Sequence, residues 1–256
     1  MSTPDVVVHL DADVLAAAAA ARLVSRIVDA QASRGKASVV LTGGGIGTRV
    51  LAAIAASPAR DAIDWRRLDL WWGDERFVPA GDDERNDAGA DAALLARVPV
   101  DPTRVHRMPA ADDRWADAEA AAAAYADELA GYAATDPGSA LFDVLLLGVG
   151  PDGHVASLFP EHPALHETDA SVVAVHGSPK PPPTRLSMTF PTLRSAHEVW
   201  FLVSGREKSG AVRLALEGAG RTQVPAAGVT GLNRTLWLLD REAASELPAG
   251  FGRPQS

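Results

Sequence analysis

Phe142-Asp143-Val144-Leu145-Leu146-Leu147-Gly148-Val149-Gly150-Pro151-Asp152-Gly153-His154 is the stretch on which the fold and the chemistry both turn. The apolar run Phe142–Leu147 predicts a buried parallel strand, because a strand covered on both faces carries hydrophobic residues continuously rather than alternately. The run stops at glycines, and a carboxylate and an imidazole follow at once on a loop shaped by glycine and proline. Ligands of open α/β sheets bind beyond the carboxyl ends of the strands, so this is where a site is expected. The stretch also spells GxGxxG through Gly148, Gly150 and Gly153, which sets a dinucleotide fingerprint against a loop that presents a histidine base. The fingerprint needs a helix to begin inside it, normally in the first βα unit. Pro151 stands where that helix would start, and Asp152 would face the pyrophosphate. The histidine reading is favoured.

Working outward, short apolar runs alternate with alanine-rich helical stretches. Strands are predicted at Val6–Leu10, Ser38–Leu41, Leu68–Trp72, Ser171–Val175, Glu198–Val203 and Thr235–Leu239 besides Phe142–Leu147. Helices are predicted from a cap at Asp11 or Asp13 to about Gln31, and over Thr48–Ala56, Asn86–Ala96, Arg114–Tyr132 and Lys208–Leu216. Strands separated by helices of this length form βαβ units, hence an α/β fold with a mainly parallel sheet covered by helices on both faces. The pattern resumes on both sides of the stiff segment Gly177–Pro183, so residues 1–256 are expected to form one domain, with a loose tail over 248–256.

The bulk composition narrows the function. A net charge of −9 disfavours nucleic acid and anionic membranes as partners, since both need a basic face. A few arginines can still make a local pocket for an anionic small molecule. The absence of cysteine removes disulfide and thiolate chemistry. The alanine run 16–21 follows Asp5, Asp11 and Asp13, where a signal peptide needs positive charge. No stretch reaches the roughly 18 apolar residues of a membrane span. A cytoplasmic protein is expected.

Four polar clusters each follow a predicted strand. Thr42-Gly43-Gly44-Gly45-Ile46-Gly47-Thr48 lies between a strand and a helix, where backbone N–H groups and the helix amino end suit a phosphate. It lacks the lysine of a Walker loop, and a tight turn is the alternative reading. Gly73-Asp74-Glu75-Arg76 offers an arginine that can fork onto phosphate or carboxylate oxygens, or simply pair with its acidic neighbours. Asp152 and His154 form the third cluster. Lys180, Arg185, Arg206 and Lys208 form a basic fourth, in which Lys208 at a helix start needs a compensating anion. His162 and His166 have the spacing of a zinc helix, but Pro163 interrupts it, and no metal is expected.

LLLGVGPDGHVASLFPEH, WWGDERFVP with Asn86-Asp87 beyond it, PPPTRLSMTFPTL and VSGREKSGAV, in that order, resemble the 6-phosphogluconolactonases across roughly residues 39–239. The family shares its fold with glucosamine-6-phosphate deaminases. The resemblance implies a three-layer Rossmann-like (NagB/RpiA-like) fold and hydrolysis of 6-phosphogluconolactone in the pentose phosphate pathway without a cofactor. It implies His154 as general base, Asp152 as the carboxylate that orients it, and Arg76 at the substrate. Thr42, Gly43, Gly44, Gly45, Asp74, Arg185 and Lys208 are then the expected substrate- and phosphate-binding residues. The family loop usually reads Ser-Gly-Gly-Ser-Thr-Pro, so this chain lacks a serine hydroxyl at Gly45 and must rely more on backbone N–H groups. A monomer or weak homodimer is expected. Two rivals remain. Deaminases of this scaffold follow the histidine with Asn-Glu-Pro, and Phe159 stands at the position of that glutamate, where no proton can be relayed. Sugar-phosphate-sensing regulatory domains are normally fused to a DNA-binding helix-turn-helix, whereas this sequence starts almost directly with its first predicted strand and keeps the histidine, so this rival is not expected.

Overall fold

Strand β5 (Phe142–Gly148) lies inside a sheet whose side chains are divided cleanly between two cores. Leu145 and Leu147 face one core, Val144 and Leu146 the other. The same alternation runs through β2 (Ala37–Leu41), β8 (Ala196–Val203) and β9 (Arg234–Asp240), so all four are buried on both faces. The computed structural model describes residues 4–112, 114–115, 117–248 and 251. With β1 (Asp5–His9) and β3 (Leu68–Trp72), these strands form a six-stranded sheet in the order β1-β9-β8-β5-β2-β3. All of its pairings are parallel.

Helix α1 (Ala12–Arg34) covers one face together with α2 (Gly44–Ala56) and α3 (Asn86–Ala93). Asp11 caps α1, its Oδ1 accepting the N–H groups of Asp13 and Val14 at 3.0 and 2.9 Å. The helix runs three residues past Gln31, to Arg34, and Gly35, with φ of 74°, makes the left-handed turn that ends it. Helix α4 (Ala118–Ala133), short α5 (Phe190–Leu193) and α6 (Ser209–Leu216) serve the other core. Asp117 caps α4, so that helix begins four residues later than Arg114. The expected α/β architecture with helices on both faces is present. The tail over 248–256 falls outside the described residues except at Pro248 and Phe251.

A second sheet departs from the sequence reading. Strands β4 (Asp74–Arg76), β7 (Arg185–Met188) and β6 (Val172–Val175) pair antiparallel in the order β4-β7-β6. The predicted strand at Ser171–Val175 thus belongs to this small sheet, and β4 and β7 are strands beyond those the sequence predicts. The small sheet packs against α4 and places Arg76 opposite Arg185 in register.

The chain continues from β2 toward β3 and from β5 toward β8, so connections diverge between the adjacent strands β2 and β5. That divergence opens a crevice at their carboxyl ends.

Candidate active site

The loops that leave β2, β3 and β5 meet the segment before β7 and the start of α6 around a cavity of about 260 Å³. Every expected site residue except Asp152 lines it, and Asp152 stands directly behind His154.

The glycines of the β2–α2 connection form the first turn of α2, which begins at Gly44 rather than Thr48. Gly44 has φ of 79°. A Cβ on Gly43 would lie 1.8 Å from Asn86 Oδ1, and one on Gly47 would lie 2.5 Å from the Thr42 carbonyl oxygen. Glycine is therefore dictated by close approach at two positions and by backbone conformation at a third. At Gly45 a Cβ would meet nothing within 4 Å. No side chain caps α2, so its first N–H groups and the positive end of its dipole stand at the cavity. Thr42 Oγ1 accepts the Gly148 N–H at 3.2 Å and ties this turn to the end of β5.

His154 is presented by a tight turn in which the Gly153 N–H donates to the Gly150 carbonyl at 2.9 Å, and the Gly150 N–H to the His154 carbonyl at 3.0 Å. Gly153 has φ of 84° and lies against Val224, where a Cβ would come within 2.8 Å. A Cβ on Gly150 would lie 2.0 Å from His154 Nδ1 and 2.4 Å from Asp152 Oδ1. The GxGxxG pattern is thus the footprint of a carboxylate–imidazole pair folded tightly over its own backbone. No helix follows β5 before Pro163, so the dinucleotide arrangement is absent.

Asp152 Oδ1 stands 2.5 Å from His154 Nδ1. Burial alone would raise the Asp152 carboxyl, but hydrogen bonds and charge from His154, with Lys180 behind, hold it down at about 2. An ionised carboxylate at Nδ1 keeps the proton there and leaves the Nε2 lone pair free to act as a base. The Phe159 ring lies 4.6 Å from the imidazole, centroid to centroid.

Arg76 donates from Nη1 to the Glu84 carbonyl, while its Nε is buried with no hydrogen-bond partner among the described residues. An orphan donor of this kind costs about 1–3 kcal/mol until an acceptor arrives. Asp74 Oδ2 accepts from Ser157 Oγ at 2.7 Å, locking β4 to the His154 loop, and its carbonyl accepts from Asn86 Nδ2 at 2.9 Å. Asp74 therefore acts on the site through other residues as much as at its wall.

Arg185 is 4% exposed, and burial lowers its pKa, with Arg76 adding to the effect. Its Nε donates to the Pro182 carbonyl at 2.7 Å and its Nη2 to the carbonyls of Lys180 and Pro181 at 3.0 Å each. Expected as an anion contact, it lines the cavity but spends these donors on shaping the proline loop. Burial also lowers the pKa of Lys208, and Lys180 pushes the same way. Glu207 and Asp240 pull the other way, so carboxylates of the protein itself partly compensate Lys208. Arg206 turns away to pair with Glu242 at 2.9 Å.

Asn86 and Ala156, at φ of 48°, also line the cavity and were not among the expected site residues. Nothing local marks Ala156. Asn86 was signalled only by its place beyond the Asp74–Arg76 motif. Lys180, a member of the basic cluster, lines the cavity as well.

A larger cavity, about 530 Å³, opens at the amino ends of β2, β5 and β8. It lies at the end of the sheet away from the strand-end loops, and its arginines are engaged, Arg34 with Asp143 and Arg194 with the Gly228 carbonyl. Among the described residues, no group of three or more His, Cys, Asp or Glu side chains is placed to share a metal ion, and no helix is long and apolar enough to cross a membrane.

The chain matches the family described as glucosamine-6-phosphate isomerases/6-phosphogluconolactonase over residues 10–237. A Streptomyces coelicolor protein named 6-phosphogluconolactonase is 62% identical over 99% of this chain and 98% of its own. The Mycobacterium tuberculosis protein of that name is 50% identical over 93% of this chain and 96% of its own. Among solved structures, the 6-phosphogluconolactonase of Trypanosoma brucei superposes with a TM-score of 0.82 at 30% identity, covering 96% of this chain and 99% of that one. By sequence and by structure, the chain belongs to the glucosamine-6-phosphate isomerase/6-phosphogluconolactonase family.

Proposed function

We propose that the cavity hydrolyses 6-phospho-D-glucono-1,5-lactone to 6-phospho-D-gluconate, a step of the oxidative pentose phosphate pathway, in the cytoplasm. The observation that carries this reading is the meeting, in one cavity, of a carboxylate-backed imidazole and an uncapped helix amino end. The relatives' shared name points to the same reaction.

The phosphate docks on the N–H groups at the start of α2, where Lys208, Lys180 and Arg185 balance its charge. His154 Nε2 takes a proton from water as the water oxygen bonds to the lactone carbonyl carbon. The carbonyl electron pair moves onto its oxygen, and Arg76, with a donor lacking an acceptor, stabilises that charge. Asp152 holds Nδ1–H and offsets the imidazolium. Collapse of the intermediate breaks the bond to the ring oxygen, which recovers the proton from Nε2 and becomes a hydroxyl. The carboxylic acid so formed releases its proton to solvent, one water is consumed and the imidazole is regenerated. Phe159 gives the imidazole an apolar neighbour where a deaminase keeps glutamate, which favours hydrolysis over deamination.

Lactone opening at neutral pH, measured with wild type and His154→Ala, tests this. The wild-type rate is expected well above the uncatalysed one, falling by about 10²–10⁴-fold in the variant. Rates equal to background for both proteins overturn the reading, and ammonia release from glucosamine 6-phosphate would replace it with deamination.

A further inference from the structure

A buried carboxylate that takes no part in the proposed chemistry joins β4 to the start of α3. Glu75 is 1% exposed. Its Oε1 accepts the N–H groups of Arg76 at 2.8 Å and Asn86 at 2.7 Å, and its Oε2 accepts that of Asp87 at 3.0 Å. Burial pushes the Glu75 carboxyl up to about 7 against the pull of Arg85 and of the Asn86 and Asp87 N–H groups. Arg85, equally buried, holds both Asp87 oxygens at 2.9 and 3.0 Å, and its Nη1 reaches the Arg76 carbonyl at 3.5 Å. Arg76 is thus gripped at its N–H by Glu75 and at its carbonyl by Arg85, neither of which lines the cavity.

The same carboxylate reaches the phosphate loop. Asn86, held at its N–H by Glu75, donates from Nδ2 to the Asp74 carbonyl, and its Oδ1 fills the space where a Gly43 side chain would begin. The amino ends of α2 and α3, both at the cavity, therefore differ in kind. That of α2 carries no side-chain cap, while that of α3 is filled by the protein's own carboxylate.

We propose that Glu75 is a positioning residue for the reaction, clamping Arg76 and Asn86 into one unit so that the guanidinium meets developing charge already in place. This rests on the lactonase reading. An anchored cation needs no reorganisation as charge appears, whereas an arginine on a loosened strand turns its orphan Nε toward other acceptors. Glu75→Gln is the variant of choice. Its amide oxygen still accepts from Arg76 and Asn86, while its NH₂ opposes the Asp87 N–H.

A double-mutant cycle of Glu75→Gln with Arg76→Lys, read as kcat/KM for the lactone beside Tm, separates positioning from bulk stability. Glu75→Gln is expected to lower kcat/KM by about 10–50-fold with Arg76 present and by less than about threefold with lysine there. The Tm change should be the same in both backgrounds. Equal activity losses in both backgrounds make Glu75 a structural residue and overturn the proposal. Should Glu75→Gln fail to fold, Arg85→Lys, which keeps the charge and gives up the two-point grip on Asp87, reads the same coupling. A wild-type protein that opens no lactone overturns the functional reading, and this proposal with it, before any variant is made.

Discussion

Gly150→Ala perturbs the active site without removing a functional group. The added Cβ would lie 2.0 Å from His154 Nδ1 and 2.4 Å from Asp152 Oδ1, whereas real Cβ atoms keep at least 3.0 Å from such neighbours. The imidazole must therefore retreat by about 1 Å, and the carboxylate must move with it. Gly150 does not have a positive φ, so alanine adds no backbone strain of its own. A misplacement of about 1 Å at a reacting group costs on the order of 10²-fold in rate. The expected result is a loss of about 10²-fold in kcat for lactone opening, with KM within about threefold because the phosphate contacts lie on other elements. Gly45→Ala is the matched control, since its Cβ meets nothing within 4 Å. Activity is followed by proton release in weak buffer, corrected for spontaneous opening. Gly150→Ala protein that folds normally and keeps kcat within threefold of wild type would refute the assignment of the Asp152–His154 pair as the working base.

Two further outcomes follow from the geometry. Gly45→Ser places a hydroxyl in open space at the amino end of α2, beside donors that already face the cavity, so KM for the phosphorylated lactone should fall by about two- to tenfold with kcat unchanged. Burial lowers the pKa of His106, but Asp69 and Glu128 outweigh it and raise the net value above 6.5. The stability this contributes is complete below pH 6.5 and is lost as pH rises through the folded-state value. His106→Gln should therefore flatten the fall in Tm on the alkaline side of pH 6.5, with lactone opening at neutral pH retained.

The parallel strands were legible because burial on both faces writes itself into the sequence as unbroken hydrophobicity. Even so, β5 conceals an acid, as Asp143 is buried and holds Arg34 and the Ser38 N–H. Strands β4 and β7 were not legible. One is three residues of charge, the other buries Arg185 and Ser187, and each exists only through its partner across the small sheet. The glycines of 43–47 suggest a loop, yet from Gly44 onward they belong to α2. What dictates glycine at 43 and 47 is the close approach of Asn86 and Thr42, and Asn86 lies dozens of residues away. His154, Asp152 and Arg76 could be named because they follow strands in recognisable motifs. Glu75 has no such signal, since it works through backbone N–H groups of residues that the fold brings to it.

That loop has one more consequence. Arg185 holds Lys180, Pro181 and Pro182 by their main-chain carbonyls alone. Such a grip is blind to side-chain identity. The residue that overhangs the cavity can be exchanged for a longer, shorter or uncharged one while the arch that carries it keeps its shape. Exchange at position 180 thus changes the charge that bears on Asp152 while leaving the arch itself in place, which makes this arch the natural place to retune the site.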